Sequence, residues 1–299
     1  MKIHEIIEEM RGHCGQVGRD VTDGEGSRDR ILFGSPDEEC TGVVVCIYPS
    51  IEVIRYAVEE GATFIVSHES LFWNHGDRTD WLGGNTAYRK KRALLESGGI
   101  CVWRNHDHIH AGVEVGGEHL DGIFYGIGER MGWTREMKAV RDDMQQSFGI
   151  SPCTAGELAA KLARTFGLNG IRFVGRPDCR ISRVMFPMHV LGGVHDDALI
   201  EKVQEEDVNG LIAMEMVDFT VCEYVRDAAA LGEDRCLFSI GHFNVEQLGM
   251  MWYAEYLSRI LEGRVSVRAA SIGDMYCHLD GFGGVASRGW AGCAPRDGH

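Results

Sequence analysis

Residues Gly42–His68 (GVVVCIYPSIEVIRYAVEEGATFIVSH) combine two apolar runs with a segment of helical periodicity between them. Residues 42–48 are apolar and mostly β-branched, which is typical of a buried strand. Apolar residues at helical spacing over 51–60 then predict a helix, with Ser50 as its N-cap. A second apolar strand at 63–67 leads directly into a histidine. This order of strand, helix and strand predicts parallel pairing in an α/β sheet.

The same rhythm continues along the chain. Further strands are predicted at 100–104, 171–175, 181–186, 210–214 and 236–240. Further helices are predicted at 86–97, 154–166, 197–206, 219–231 and 245–261. The stretch 131–152 is less regular and rich in charge, so we place a boundary between two lobes near it, which gives lobes at 1–135 and 136–299.

The composition argues against a membrane-spanning protein and against a nonspecific binder of nucleic acid or anionic membranes. Of the 299 residues, 44% are hydrophobic and 25% charged, and no apolar run approaches the roughly 18 residues that cross a bilayer. A formal net charge of −15 disfavours nonspecific binding to nucleic acid or to an anionic membrane surface. The charged, amphipathic start at 1–10 lacks the features of a signal peptide, so we expect a cytoplasmic protein.

Three short segments place histidines or carboxylates where a predicted strand ends. They are His68–Trp73 (HESLFW), His106–His110 (HDHIH) and Gly241–Glu246 (GHFNVE). Ligands of α/β sheets gather beyond the carboxyl ends of the strands, so these segments are candidate binding sites. In the last segment, His242 and Glu246 are four residues apart at the start of a predicted helix, which lets both side chains reach one metal ion.

Each segment also has a structural interpretation. A lone His-Glu pair after a strand and a single H-x-x-x-E helix start are more often structural. The run from His106 to His110 has a histidine at every second position, and alternate side chains on an extended segment point the same way. Metal binding and a structural role are evenly balanced for that run alone. The histidines without comparable spacing favour structural or surface roles: His75, His119, His189, His195 and His278.

Together the segments supply a set of side chains that can ligate two divalent ions: His68, Glu69, His110, His242 and Glu246. Imidazole suits Zn, Fe, Mn, Ni and Co, and a carboxylate can bridge two cations about 3.5–4 Å apart. His106 and His108 are then not needed as ligands. Each is a candidate catalytic proton shuttle or a hydrogen-bond partner that orients a ligand.

These segments resemble the Nif-three-like family of hexameric proteins with a dinuclear metal centre, also described as type-two GTP cyclohydrolase I homologues. The family's I-V-S-H-H-P-L is similar to Ile65–Leu71 (IVSHESL), its H-T-N-L-D-A to His106–Ala111 (HDHIHA), and its G-H-x-x-x-E is matched in full by Gly241–Glu246. Glu69 stands where the family has a histidine, and His110 where it has an aspartate. The exchange keeps three imidazoles and two carboxylates, so the resemblance implies a variant site that still holds two ions.

The resemblance has further implications for the whole molecule. It implies the Nif-three-like fold, with two similar α/β lobes whose mixed, largely parallel sheets are flanked by helices. The first lobe carries the first three predicted ligands and the second lobe carries the last two, and we expect the lobes to form one compact unit. The resemblance also implies a toroidal homo-hexamer whose sites face an inner cavity.

Two functions fit these observations. The first is a metal-dependent hydrolase acting on a small nucleotide-like, phosphorylated or heterocyclic substrate, with two divalent transition-metal ions that polarise it. GTP cyclohydrolase activity is implied by the family label alone, because the chain has no G-x-x-x-x-G-K-[ST] phosphate loop. The second is a non-catalytic metal-binding protein, either a metal carrier or a regulatory assembly with partners.

Overall fold

The structure, a computed structural model, describes four ranges of the chain: residues 1–15, 27–137, 145–187 and 189–279. The chain divides into two compact units. Unit 1 contains Met1–Gly126 and Gln247–Ile272, and unit 2 contains Ile127–Glu246 and the described residues from 273 onward. The segment 247–272, which lies in the second of the two predicted lobes, belongs to unit 1, and its strand pairs with the first sheet.

Unit 1 is built on a five-stranded sheet, with elements numbered in chain order. Its strands are β1 (Ile31–Phe33), β2 (Val43–Cys46), β3 (Phe64–Ser67), β4 (Cys101–Arg104) and β14 (Val267–Ala269). They lie in the order β1-β4-β3-β2-β14, and all neighbours are parallel except β1 and β4. The remaining elements are α1 (Ile3–Gly12), α2 (Ile51–Glu59), α3 (Thr86–Ser97), α4 (Asp107–Ala111), β5 (Val113–Val115), β6 (Glu118–Leu120) and α5 (Gly122–Met131), whose last residues belong to unit 2.

The apolar runs of the sequence form the interior of this sheet. Every residue of β2, β3 and β4 is buried, as near-continuous hydrophobic sequences predict for parallel strands covered on both faces. Ser50 caps α2 as predicted, since its hydroxyl accepts a hydrogen bond from the backbone N–H of Val53 at 3.2 Å. Because β3 and β4 are parallel neighbours, the segments that follow them start at the same edge of the sheet.

Unit 2 is also built on a five-stranded sheet. Its strands are β7 (Gln146–Thr154), β8 (Arg172–Val174), β9 (Arg180–Phe186), β11 (Gly210–Ala213) and β13 (Cys236–Ser239), in the order β7-β9-β11-β13-β8. The three central strands are parallel and the two edge strands antiparallel to them. The remaining elements are a 3₁₀ helix (Thr134–Glu136), α6 (Ala155–Phe166), β10 (His189–Val190), α7 (His195–Glu205), β12 (Glu215–Met216), α8 (Val221–Ala230) and α9 (His242–Ile260), which continues into unit 1.

The predicted α/β class is confirmed in both units. Each unit has a mixed sheet with a parallel centre, and helices follow the central strands. The predicted capping box of α6 is present, because Thr154 accepts a hydrogen bond from the N–H of Glu157 and Glu157 accepts one from the N–H of Thr154. The stretch 131–152 was expected to be irregular, but most of β7 lies in it, stabilised by antiparallel pairing with β9.

The length and charge of the helices decide whether any of them could span a bilayer. The longest helix among the described residues is α9, which has 19 residues and contains Glu246, Glu255 and Arg259. Within the part of the chain that the structure describes, no helix is both long enough and apolar enough to cross a bilayer.

Candidate metal centre

Three buried histidines meet at the carboxyl edge of the unit 1 sheet. His68 directly follows β3, His106 lies two residues after β4, and His110 lies in α4. The ring centroids of His68 and His106 are 4.5 Å apart, those of His68 and His110 5.0 Å, and those of His106 and His110 4.9 Å. The three residues are 0%, 8% and 3% exposed. We call His68, His106 and His110 the unit 1 histidine cluster.

All three rings of this cluster have their Nδ1 atoms near oxygens, and Nδ1 of His106 lies 3.0 Å from Oδ1 of Asp107. Nδ1 of His68 lies 3.2 Å from the backbone oxygen of Asn105, and Nδ1 of His110 lies 2.7 Å from Oδ2 of Asp121. An imidazole that donates from Nδ1 carries its lone pair on Nε2, which is then the atom that can bind a metal. One ring nitrogen from each member of the cluster lies within 4.8 Å of the others, a spacing that a single ion can bridge.

A short helix, and not an extended segment, brings His106 and His110 together. Asp29 caps α4, because Oδ1 accepts hydrogen bonds from the backbone N–H groups of His106 at 2.6 Å and Asp107 at 2.8 Å. One turn of helix then places His106 and His110 on the same face. Nδ1 of His108 instead lies 2.5 Å from Oδ2 of Asp29. The expectation of an extended H-x-H-x-H run is therefore wrong.

Asp29 carries its charge in a buried position. Burial by itself raises the pKa of this carboxyl, but the hydrogen bonds from the His108 side chain and from three backbone N–H groups outweigh burial and hold the pKa of Asp29 below its usual value. Sequence reasoning missed Asp29 because it lies 77 residues before His106 and belongs to no motif. It missed Asp121 for a similar reason, because this aspartate follows the short β5–β6 hairpin and belongs to no sequence motif.

Glu69, which directly follows His68, is held by a buried arginine. Nη2 of Arg104 lies 3.1 Å from Oε2 of Glu69, and Nη1 of Arg104 lies 3.1 Å from Oδ2 of Asp77. The Arg104 side chain is fully buried at the end of β4, and its Nε also donates to the backbone oxygen of His68 at 3.3 Å. The guanidinium fixes the orientation of the Glu69 carboxylate beside the unit 1 histidine cluster.

A second cluster lies at the carboxyl edge of the unit 2 sheet. His242 is the first residue of α9, and its Nε2 lies 2.8 Å from Oε2 of Glu246 one turn later. Its Nδ1 lies 2.5 Å from Oε1 of Glu215, whose Oε2 lies 2.5 Å from Nδ1 of His189. One ligand atom from each of His189, Glu215 and His242 lies within 4.8 Å of the others. We call these three residues the unit 2 cluster.

The Glu215 carboxylate lies between the two imidazoles of the unit 2 cluster. Burial raises the pKa of this carboxyl, but hydrogen bonds from His189 and His242 outweigh burial and lower the pKa of Glu215 to about 2. Sequence reasoning missed Glu215, because β12 is only two residues long and shows no periodicity. His189, for which a structural role was favoured, lies directly opposite Glu215 in the β10–β12 pair.

The structure thus gathers the predicted site residues into two groups. Unit 1 brings His68 and His110 into one cluster, to which it adds His106, and Glu69 adjoins that cluster. Unit 2 brings His242 and Glu246 into contact. Imidazole nitrogens and carboxylate oxygens are the donors that divalent transition metals prefer, so each group can bind a metal ion.

Solved structures share this fold at low sequence identity. Staphylococcus aureus protein SA1388 matches with a TM-score of 0.70 at 16% identity, covering 93% of this chain and 99% of that one. A Bacillus cereus protein related to NIF3 matches with a TM-score of 0.67 at 14% identity, covering 94% and 98%. Reduced HcgD from Methanocaldococcus jannaschii matches with a TM-score of 0.59 at 16% identity, covering 91% and 97%. These likenesses show the fold alone.

Sequence comparison assigns the family. No curated protein sequence matches this chain. The family model described as Duf34/NIF3 (NGG1p interacting factor 3) matches residues 1–273, a range that includes both clusters and Glu246. The resemblance to Nif-three-like proteins, drawn from three short segments, is therefore confirmed over most of the 299 residues. The chain belongs to the Duf34/NIF3 (NGG1p interacting factor 3) family.

Proposed function

We propose that this protein binds two divalent transition-metal ions and hydrolyses a small nucleotide-like, phosphorylated or heterocyclic molecule. The observation that carries the proposal is the unit 1 histidine cluster, in which three buried imidazoles offer nitrogens within 4.8 Å of one another. The candidate ions are Zn, Fe, Mn, Ni and Co. The ligands, as the family resemblance implies, are His68, Glu69, His110, His242 and Glu246.

Side chains around the unit 1 histidine cluster prepare it for metal binding. The backbone oxygen of Asn105 and the Asp121 carboxylate hold the Nδ1 atoms of His68 and His110. Arg104 orients Glu69 in the same way. Ligands that are already oriented lose less conformational freedom on binding, and loss of the groups that orient them typically weakens metal binding about 10- to 100-fold. Divalent cations, when bound, supply the Lewis acidity that polarises a substrate oxygen.

His106 is better placed than His108 for a part in the chemistry. The His106 ring stacks on that of His68 at 4.5 Å and belongs to the cluster. It can therefore act as an additional ligand or as the proton shuttle that the sequence suggests. His108 lies beside Asp29 and serves to hold that capping carboxylate.

A non-catalytic metal carrier or regulatory protein is the second candidate, and one observation favours it. The three imidazoles of the unit 1 histidine cluster are at most 8% exposed, and closed sites of this kind are typical of structural or storage metals. Catalytic sites keep an open coordination position for substrate. The two candidates therefore differ in whether a substrate can reach the ions.

A turnover screen separates these candidates. Tag-free protein is stripped of metal, reloaded with one ion type at a time, and assayed against nucleotides, GTP included, phosphomonoesters, phosphodiesters and cyclic amides. We expect hydrolysis that requires metal and is lost in His68→Ala and His110→Ala. His195→Ala, which removes an exposed histidine of α7, is the matched control and keeps full activity. Stable metal binding without turnover of any substrate class would favour the carrier.

A further inference from the structure

Glu215 lies between two imidazoles of unit 2 and is absent from the predicted ligand set. Its Oε1 lies 2.5 Å from Nδ1 of His242, and its Oε2 lies 2.5 Å from Nδ1 of His189. An ionised carboxylate only accepts hydrogen bonds, so the Nδ1 atoms of both rings must donate.

Three adjacent parallel strands build this arrangement. β9, β11 and β13 end at one edge of the unit 2 sheet. His189, Glu215 and His242 follow these strands, in that order, by two or three residues. The β10–β12 pair sets His189 directly opposite Glu215, so the backbone register itself brings the imidazole to the carboxylate.

We propose that Glu215 is a positioning residue, which keeps the proton of His242 on Nδ1 so that Nε2 is the nitrogen that binds metal. His189 in turn fixes the Glu215 carboxylate through its second oxygen. This inference rests on the proposed function, since it assigns the ligating atom of a proposed ligand. Nε2 of His242 also lies on the side of Glu246, the other proposed ligand of α9, at 2.8 Å.

Burial indicates which side of His242 is the metal side. The side chains of His189 and Glu215 are 40% and 39% exposed, whereas His242 is 19% and Glu246 1% exposed. The Nε2 side of the ring therefore adjoins the buried carboxylate. Because both oxygens of Glu215 already have imidazole donors, Glu215 acts through His242. A carboxylate on the second nitrogen of a ligating histidine fixes the tautomer and raises the basicity of the ring.

Cobalt(II) titration of full-length, metal-stripped, tag-free protein tests the proposal. We expect Glu215→Gln and Glu215→Leu to weaken cobalt binding about 10- to 100-fold, with the same number of ions bound at saturation. His189→Ala weakens binding in the same direction by a smaller factor. Glu205→Gln, which removes an exposed carboxylate from α7, is the matched control and binds like the wild type.

A second readout is independent of bound metal. Nitrogen-15 NMR of the metal-free protein reports which ring nitrogen of His242 carries the proton. We expect protonated Nδ1 in the wild type and the Nε2-protonated tautomer in Glu215→Leu. We expect the metal-free variants to unfold at the same temperature as the wild type, which would exclude a loss of folding as the cause.

Three outcomes would overturn the proposal. If the wild type binds cobalt and Glu215→Leu changes neither the cobalt affinity nor the tautomer of His242, this inference alone is overturned. A third ion that is bound by the wild type and lost in His189→Ala would make Glu215 a ligand and also overturn it. Wild-type protein that binds no ion at all overturns the proposed function, and this inference with it.

Discussion

Asp29 stabilises the helix turn that carries two members of the unit 1 histidine cluster. It accepts hydrogen bonds from three backbone N–H groups and from the His108 ring. An amide at this position has one acceptor oxygen fewer and forces a donor against those groups. We expect Asp29→Asn to lower the free energy of unfolding of the metal-free protein by about 2 kcal/mol, measured by urea denaturation.

The matched control for Asp29→Asn is Asp227→Asn, which changes an exposed aspartate of α8. Substitutions at such surface positions usually stay within about 0.5 kcal/mol of the wild type. Equal stability of the two variants would show that Asp29 does not stabilise the α4 turn.

At the residue scale, the sequence identified those site residues that sit in local motifs. His68 directly follows β3, His110 lies in the segment after β4, and His242 and Glu246 lie at the start of α9, so the strand pattern is strong enough to place them. The hydrogen-bond partners could not be placed, because they come from distant parts of the chain. Asp29 lies 77 residues before His106, and Glu215 lies 27 residues before His242.

At the scale of elements, α3 supplies a buried cation to the segment that follows Glu69. Nζ of Lys91 donates to the backbone oxygen of Leu71 at 2.7 Å and lies 5.6 Å from the ring centroid of Phe72. Lys91 is 2% exposed, and burial lowers its pKa to about 8. Lys91 thus ties α3 to the segment that begins two residues after the proposed ligand Glu69.

Because of this buried lysine, the free energy of unfolding should depend on pH in a predictable direction. Between about pH 8 and pH 10.4 the unfolded chain keeps the Lys91 proton that the folded protein has released. Because the unfolded state then binds more protons, the free energy of unfolding of the wild type rises with pH relative to Lys91→Met. We expect a relative rise of about 2 to 3 kcal/mol, from denaturant unfolding at several pH values.

Lys90→Met is the control for that series, since Lys90 is the exposed neighbour on the same helix. It should follow the wild-type pH curve with a constant offset. Parallel curves for the wild type and Lys91→Met would contradict a lowered pKa for Lys91.

Elements with long apolar runs were predictable and short polar ones were not. β2, β3 and β4 are buried throughout, so their sequences read clearly as strands. β10 and β12 have two residues each, too few to show a period of two, and only their pairing defines them. The α4 segment resembled an extended run because its helix depends on a cap from outside the segment.

At the scale of the whole molecule, we expect a homo-hexamer, as the family resemblance implies. Light scattering coupled to size-exclusion chromatography should give a mass of six chains for both the metal-loaded and the metal-stripped protein. A mass of one chain at micromolar concentration would contradict this expectation and leave the proposal of metal binding intact.

Metal content distinguishes a chain that holds two divalent transition-metal ions, as we propose, from one that holds none. Elemental analysis of tag-free protein measures it most directly, with His68→Ala, His242→Ala and the control His195→Ala measured in parallel. We expect about two ions per chain in the wild type and in the control, and fewer in each of the other two variants. Folded wild-type protein that contains no metal and takes up none on dialysis would contradict this proposal.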